Sequence, residues 1–233
     1  MIRKNRAIPA HELNLLIFDL DGTLVDSRLD LANSVNAMLR HYGKPELPND
    51  VIGSFIGNGA PMLVRRSLGD PDDEKFVQEA LLFFMNYYRA HKLDTTYVYE
   101  GVFAALDAIL ASRNGSGAVK MAVLSNKPVG PTRAIVEALG LGKYFFQIYG
   151  GNSFEQKKPH PIGIERLVAE SGADRGRTVM VGDSAVDVLT ARAASVKACG
   201  VAWGFQPETF ATAPPDFIVD DLRALAEMVL ERA

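Results

Sequence analysis

Hydrophobic and polar positions fall into two textures along the chain. Leu15-Leu16-Ile17-Phe18 is an unbroken apolar run that stops at Asp19 and is followed by the turn-forming Gly22. A continuous run of this length reads as a strand covered on both faces of a parallel sheet. From Leu29 the spacing changes: Leu29, Leu31, Ala32, Val35, Met38 and Leu39 follow a 3.6-residue period, and Gly43 offers a stop. Residues 51–56, 62–68 and 72–91 continue the helical texture, punctuated by Pro and Gly. Beyond residue 97 helix and strand alternate, with helices predicted at 102–113, 131–139, 162–171, 185–194 and 222–231. Strands are predicted at 119–124, 145–149, 178–181, 198–202 and 217–219. Such alternation predicts an α/β fold whose parallel sheet is joined by right-handed crossovers. The expected core, a Rossmann-like parallel sheet, is discontinuous, residues 1–26 with 97–233. Residues 27–96 form an inserted all-helical domain.

Composition narrows the partners. The chain has 233 residues, 48% hydrophobic, with 25 basic against 28 acidic side chains and a net charge of −3. That balance carries no nucleic-acid footprint and no polybasic membrane surface. Cys199 is the one cysteine, so an intrachain disulfide and a Cys-rich zinc site are excluded. Arg3, Lys4 and Arg6 precede Pro9 without an apolar stretch, and no run of about 18 apolar residues occurs. The reading is a cytoplasmic protein, monomer or homodimer, without signal peptide or membrane span, whose partner is a small molecule.

The chemistry gathers where strands end, which is where open α/β sheets place their ligands. Asp19 and Asp21 follow the first strand, Ser125 and Asn126 the strand at 119–124, and Gly182-Asp183 the strand at 178–181, with Asp187 four residues on. Two carboxylates as close as Asp19 and Asp21 repel and need a cation or a shared proton. A lone Asp after a strand commonly begins a turn, and Ser-Asn commonly caps a helix; three such ends along one sheet edge favour a site. The Ser125 hydroxyl and Asn126 amide can donate to a phosphate oxygen or orient a substrate. Lys158, fixed before Pro159 and preceding a second proline at 161, is the expected inward cation, with Lys157 solvated and His160 a loop residue. Asp183 beside Asp19 and Asp21 makes an oxygen-rich site, for which magnesium is the natural occupant. Asp187 either hydrogen-bonds a metal water or Lys158 from behind the site, or is an ordinary first-turn helix residue.

Asp19-Leu-Asp-Gly-Thr-Leu-Val-Asp-Ser27, Ser125-Asn126, Lys158-Pro159 and Gly182-Asp183 followed by Asp187 resemble the four motifs of the haloacid dehalogenase superfamily, phosphatase branch. The insert resembles that family's helical C1 cap, and 55–66 within it is similar to the cap of phosphoglycolate phosphatases. The resemblance implies that Asp19 is a nucleophile forming an aspartyl-phosphate and Asp21 the acid and base. Mg2+ would be held by Asp19, the carbonyl of Asp21 and Asp183. Ser125, Asn126 and Lys158 would bind phosphate, together with Thr23, which also orients the loop. It implies a phosphomonoester hydrolase acting on a small phosphorylated metabolite, with 2-phosphoglycolate foremost. In the cap, Gly57, Asn58 and Gly59 would approach the substrate, and Arg65 or Arg66 would pair with its carboxylate unless both belong to a solvated helix face. Other small substrates (a sugar phosphate, pyrophosphate), a β-phosphoglucomutase-type transferase and a regulatory protein on the same scaffold remain the alternatives. Glu100-Gly101 stands where relatives usually carry Pro-Gly at the return to the core.

Overall fold

The computed structural model describes residues 2–4, 13–114 and 117–230. Arg6, Pro9 and Glu231, used in the sequence reading, lie outside them. The central strand is β2 (Leu15–Phe18), every residue of it fully buried. Period two divides its side chains between the faces of the sheet. Leu16 and Phe18 join one core with α5 (Val102–Ala111) and α9 (Leu222–Leu230), while Leu15 and Ile17 join another with α7 (Ile162–Ser171) and α8 (Ala185–Ala193). Helices on both faces explain why the run lacks polar alternation.

β2 pairs in parallel with β7 (Lys120–Leu124) on one side and β9 (Thr178–Gly182) on the other. β8 (Gln147–Tyr149) lies beyond β7, and β10 (Lys197–Val201) and β11 (Phe217–Val219) lie beyond β9. The chain therefore builds outward from β2 in one direction and then in the other, and the order reverses between β2 and β9. A crevice opens at such a switch point; Asp19 and Asp183 stand on its two sides. The parallel sheet expected from the sequence is present, with one addition. A seventh strand, β1 (Ile2–Lys4), pairs antiparallel with β11 at the edge.

Two short antiparallel ribbons were also not predicted. β3 (Val25–Asp26) pairs with β4 (Tyr97–Val98), and β5 (Arg113–Asn114) with β6 (Gly117–Ala118). Two-residue strands leave no periodicity to read. The β3–β4 ribbon ties together the two chain segments through which the insert leaves and returns. Between them lie α1 (Arg28–His41), α2 (Asn49–Phe55), α3 (Ala60–Ser67) and α4 (Glu74–His91), which bury Leu31, Val35, Met38, Ile52, Val64 and Phe84 in a cluster of their own. The α1 stop is at Gly43, whose φ of +64° suits a residue without Cβ. α4 starts two residues later than the periodicity suggested because the Asp73 side chain caps it, accepting from Phe76 N at 3.0 Å. The remaining helix, α6 (Val129–Ala138), begins directly after Pro128.

Candidate active site

β2 ends at Phe18, so Asp19 and Asp21 do not continue a strand. Gly22, at φ +79°, turns the chain and its N–H donates to Val25 O at 2.9 Å. Each carboxylate meets its own lysine. Asp19 Oδ2 lies 3.0 Å from Lys158 Nζ, whereas both oxygens of Asp21 lie 2.9 Å from Lys127 Nζ. The Ser27 hydroxyl donates to Asp21 Oδ1 at 2.5 Å. The repulsion anticipated for adjacent acids is thus met by two buried ammonium groups, and the sequence reading had named only Lys158.

Lys158 is positioned by a second acid. Asp187 Oδ1 accepts from its Nζ at 2.6 Å, and Asp187 Oδ2 accepts from the Ser184 N–H and hydroxyl at 3.2 and 2.9 Å. Asp187 is therefore both the capping-box residue of α8 and the anchor of Lys158. The two readings of this residue coexist. Asp183, at the end of β9, accepts from Phe205 N at 2.6 Å.

The oxygens of Asp19, Asp183 and Asp187 lie within 4.8 Å of one another. Close approach at this point excludes side chains. A Cβ on Gly22 would stand 2.2 Å from Asp183 Oδ2, and one on Gly204 2.1 Å from Asp183 Cβ. The Asp19 carboxyl is raised to about 6, because burial, with Asp187 and Asp21 beside it, outweighs the pull of Lys158. Asp183 is raised well above the usual carboxylate range by burial, with Asp187 and Asp19 adding to the effect. Burial works against the charges of Lys158 and Lys127, but their carboxylate partners outweigh it and both stay raised. Three buried acids around one ammonium leave an excess of negative charge, and the donors are all oxygen. That set fits a hard divalent cation.

The second strand end is also in place. Ser125 is buried, with its Oγ 3.3 Å from Lys127 N. The Asn126 amide donates to Gly57 O at 2.9 Å and to Lys158 O at 3.0 Å, so it bridges the insert and the lysine loop; its Oδ1 finds no partner among the described residues.

The insert is gripped by the core through backbone carbonyls. Gln206 Nε2 donates to Ser54 O (2.7 Å) and Ile56 O (3.0 Å), Asn126 to Gly57 O, and Lys157 Nζ to Asn58 O (2.7 Å). The end of α2 supplies carbonyls that no further helical turn satisfies. Lys157 is exposed but not merely solvated. Gly59 passes close to the core, where a Cβ would stand 2.9 Å from Asn126 O.

A cavity of about 40 Å³ lies between insert and core. Asp19, Asp21, Ser125, Asn126 and Lys127 line its core side; Leu63, Phe84, Met85 and Tyr88 line the insert side, with the backbone of Gly57 and Gly59 between.

The sequence of the haloacid dehalogenase-like hydrolases matches residues 16–201. The chain belongs to that family. It is 38% identical to the phosphoglycolate phosphatase of Pseudomonas fluorescens strain Pf0-1 over 97% of this chain and 83% of that protein. The phosphoglycolate phosphatase of Pseudomonas syringae pv. tomato is also 38% identical, over 91% of this chain and 78% of that one. A crystal structure of a predicted phosphoglycolate phosphatase from Haemophilus somnus superimposes with a TM-score of 0.85 at 29% identity, covering 93% of this chain and 98% of that chain. This member of the haloacid dehalogenase-like hydrolases is an enzyme, a phosphoric monoester hydrolase.

Three expectations drawn from the family resemblance meet a different arrangement. Arg65 does not line the cavity: it donates to Pro71 O and pairs with Glu74 and, at 3.7 Å, with Asp70, all on the insert's own surface. Arg66, half-buried, does not line it either. Helical spacing left their direction open, and the acids after α3 capture Arg65. Thr23 is fully buried outside the lining, its Oγ1 without a partner among the described residues, and its carbonyl accepts from Trp203 Nε1 at 3.3 Å. Conversely Lys127 and Gln206 were missed. Gln206 carried no signal, being far along the chain in an irregular loop. Lys127 did: Lys127-Pro128 repeats the Lys158-Pro159 pattern that drew attention to the other lysine.

Proposed function

We propose that this enzyme hydrolyses a small phosphomonoester, 2-phosphoglycolate, to glycolate and inorganic phosphate, using magnesium and an aspartyl-phosphate on Asp19. The observation that carries the reading is the shared cavity wall, where Asp19, paired with Lys158, stands beside Asp21 and Ser125. The naming of relatives at 38% identity as phosphoglycolate phosphatases supports the substrate. Residues 27–96 act as a cap over the catalytic core of 1–26 and 97–233.

An Asp19 oxygen attacks phosphorus, and a new P–O bond forms as the ester P–O bond breaks. Asp21, within the same lining, gives its proton to the departing glycolate oxygen. It then takes a proton from water, and the resulting attack on phosphorus returns Asp19 and releases phosphate. The Ser125 hydroxyl and Lys158 ammonium stabilise the phosphoryl oxygens. Asp187 keeps Lys158 pointed at Asp19, and Thr23 holds the loop that carries Asp21. Asp19, Asp183 and the carbonyl of Asp21 would hold Mg2+, which when bound neutralises carboxylate and phosphoryl charge. The cap's wall limits water around the acyl phosphate.

Phosphate release from 2-phosphoglycolate, hexose phosphates, pyrophosphate and nucleoside monophosphates, each with magnesium and with a chelator, tests the reading. A metal-dependent preference for phosphoglycolate is expected. Preference for another member of the panel rejects the substrate and keeps the reaction. The Asp19→Asn protein should stay folded and inactive, and retained turnover would remove Asp19 as the nucleophile.

A further inference from the structure

We propose that Lys127, with the Tyr88 hydroxyl facing the same cavity, is the receptor for a substrate carboxylate carried on the carbon next to the ester oxygen. This rests on the phosphomonoesterase reading above and adds to it the group that selects among small phosphate esters.

The cap's wall is otherwise apolar, and Arg65 is held by acids elsewhere. Among the described residues lining the cavity, Lys127 is the one cation. It is buried, and its ammonium spans both oxygens of Asp21 at 2.9 Å, so a carboxylate already suits its position. An ammonium has three N–H donors. Two face Asp21 and the Tyr88 hydroxyl lies beside the ammonium, so a carboxylate entering the cavity meets a cation and a hydroxyl held together.

Tyr88 provides the second, independent observation. Its side chain is 2% exposed and lines the cavity. The ring centroid lies 4.7 Å from Lys127 Nζ and the hydroxyl interacts with that ammonium, which can only donate, so the O–H proton finds no acceptor among the described residues. A buried O–H without an acceptor is unfavourable and is relieved by one. Burial raises its pKa to about 12, so it keeps its proton and stays a donor at neutral pH.

The chemistry of the substrate joins the two. Asp21 delivers its proton to the ester oxygen. In an α-carboxy phosphate ester the carboxyl carbon is about 2.4 Å from that oxygen with standard bond lengths and angles. A cation touching Asp21 is therefore within hydrogen-bond reach of the carboxylate as well. A substrate without the carboxylate leaves the Tyr88 O–H without an acceptor and Lys127 with Asp21 as its one carboxylate, and a buried site built to hydrogen-bond a group discriminates strongly against its absence.

The test compares kcat/KM for 2-phosphoglycolate with that for ethyl phosphate, which has the same two-carbon length and no carboxylate, in saturating magnesium. The ratio is expected to fall about tenfold in Tyr88→Phe and on the order of a hundredfold in Lys127→Met, with KM for phosphoglycolate carrying much of the change. Lys127→Arg should recover part of it. Tyr88→Phe removes one hydroxyl whose proton has no acceptor among the described residues, so it carries the test even if Lys127→Met fails to fold. A ratio within twofold of wild type in the folded variants, whatever the loss in each rate, overturns the receptor and leaves Lys127 as a counter-ion of Asp21. Wild-type enzyme that turns over both esters equally also overturns it while the phosphatase stands. No phosphate release from either ester or from the wider panel removes the phosphatase reading and the receptor together.

Discussion

Asp187→Asn probes the charge balance beneath the nucleophile, because the change preserves shape and removes one charge. Asp187 Oδ1 holds Lys158 at 2.6 Å, and Oδ2 holds Ser184 twice. An amide cannot do both: with its oxygen toward Ser184, its NH2 opposes the ammonium, and reversed it opposes the Ser184 N–H. One buried charge-assisted bond is lost, about 1.5–3 kcal/mol, while Lys158 keeps Asp19 at 3.0 Å. Acting the other way, carboxylates within 4.8 Å of each other repel by about 3 kcal/mol at an effective dielectric constant of about 20, and removing Asp187 relieves that repulsion. Magnesium, by neutralising Asp19 and Asp183, takes the relief away. The variant should therefore lose about 2–3 kcal/mol with magnesium, a fall of about 1 M in the urea midpoint for a chain of this size. With a chelator the loss should shrink to less than half. Asp187→Ala should lose about 1 kcal/mol more in both conditions, because the cap of α8 goes as well. Urea unfolding followed by fluorescence, with magnesium and with chelator, measures each difference. Equal shifts in the two conditions would refute the charge balance described here, and an unchanged midpoint in magnesium would refute Asp187 as the anchor of Lys158.

Three further outcomes follow from the same geometry. In Gly204→Ala the new methyl would overlap Asp183 Cβ at 2.1 Å and Gly22 O at 2.7 Å; overpacking of about 1–3 kcal/mol should displace Asp183 and raise the magnesium concentration for half-maximal activity at least tenfold, and an unchanged titration contradicts the assignment. The Asp19 carboxyl, raised by burial from 3.8 to about 6, keeps a proton in the fold that the unfolded chain has released, so in chelator its contribution to stability is full below about pH 4 and is lost as pH rises through about 6. A divalent cation replaces that proton, and melting temperatures should therefore show magnesium stabilising the protein more at pH 7.5 than at pH 5; a larger effect at pH 5 has the wrong sign. Arg65→Ala should leave kcat/KM for phosphoglycolate within about twofold while lowering stability by about 1 kcal/mol or less, the range of a partly exposed ion pair, as read by steady-state kinetics and thermal melting.

What could be read from the chain follows the physics of each element. Leu15–Phe18, 121–124 and 178–182 are buried on both faces, so apolar runs mark them and the polar residues at their ends mark the switch point of the sheet. Asp19, Asp183 and Ser125 were legible for that reason, and Lys158 through the prolines at 159 and 161 that fix its loop. The two-residue ribbons of β3–β4 and β5–β6 were not, because pairing rather than periodicity defines them. Nor was the division of labour between Lys127 and Lys158, since which ammonium meets which carboxylate depends on how Gly22 turns the chain. The direction of Arg65 was decided by Asp70 and Glu74, acids outside its own helix, and the grip of Gln206 on Ser54 and Ile56 joins positions 150 or more residues apart. Contacts of that span leave no local pattern.

The four carbonyls at Ser54, Ile56, Gly57 and Asn58 by which the core holds the insert belong to the main chain, and every residue type possesses one. The latch is therefore indifferent to the identity of most of the side chains that sit on it. Ser54, Phe55 and Asn58 can be exchanged in a library without unfastening the insert, provided the length of the segment and the glycines at 57 and 59 are kept. Ile56, whose latch contact is its carbonyl, lines the cavity, so ligand preference can in this way be remodelled there while the latch holds, and substrate range and catalytic assembly are open to change on separate schedules.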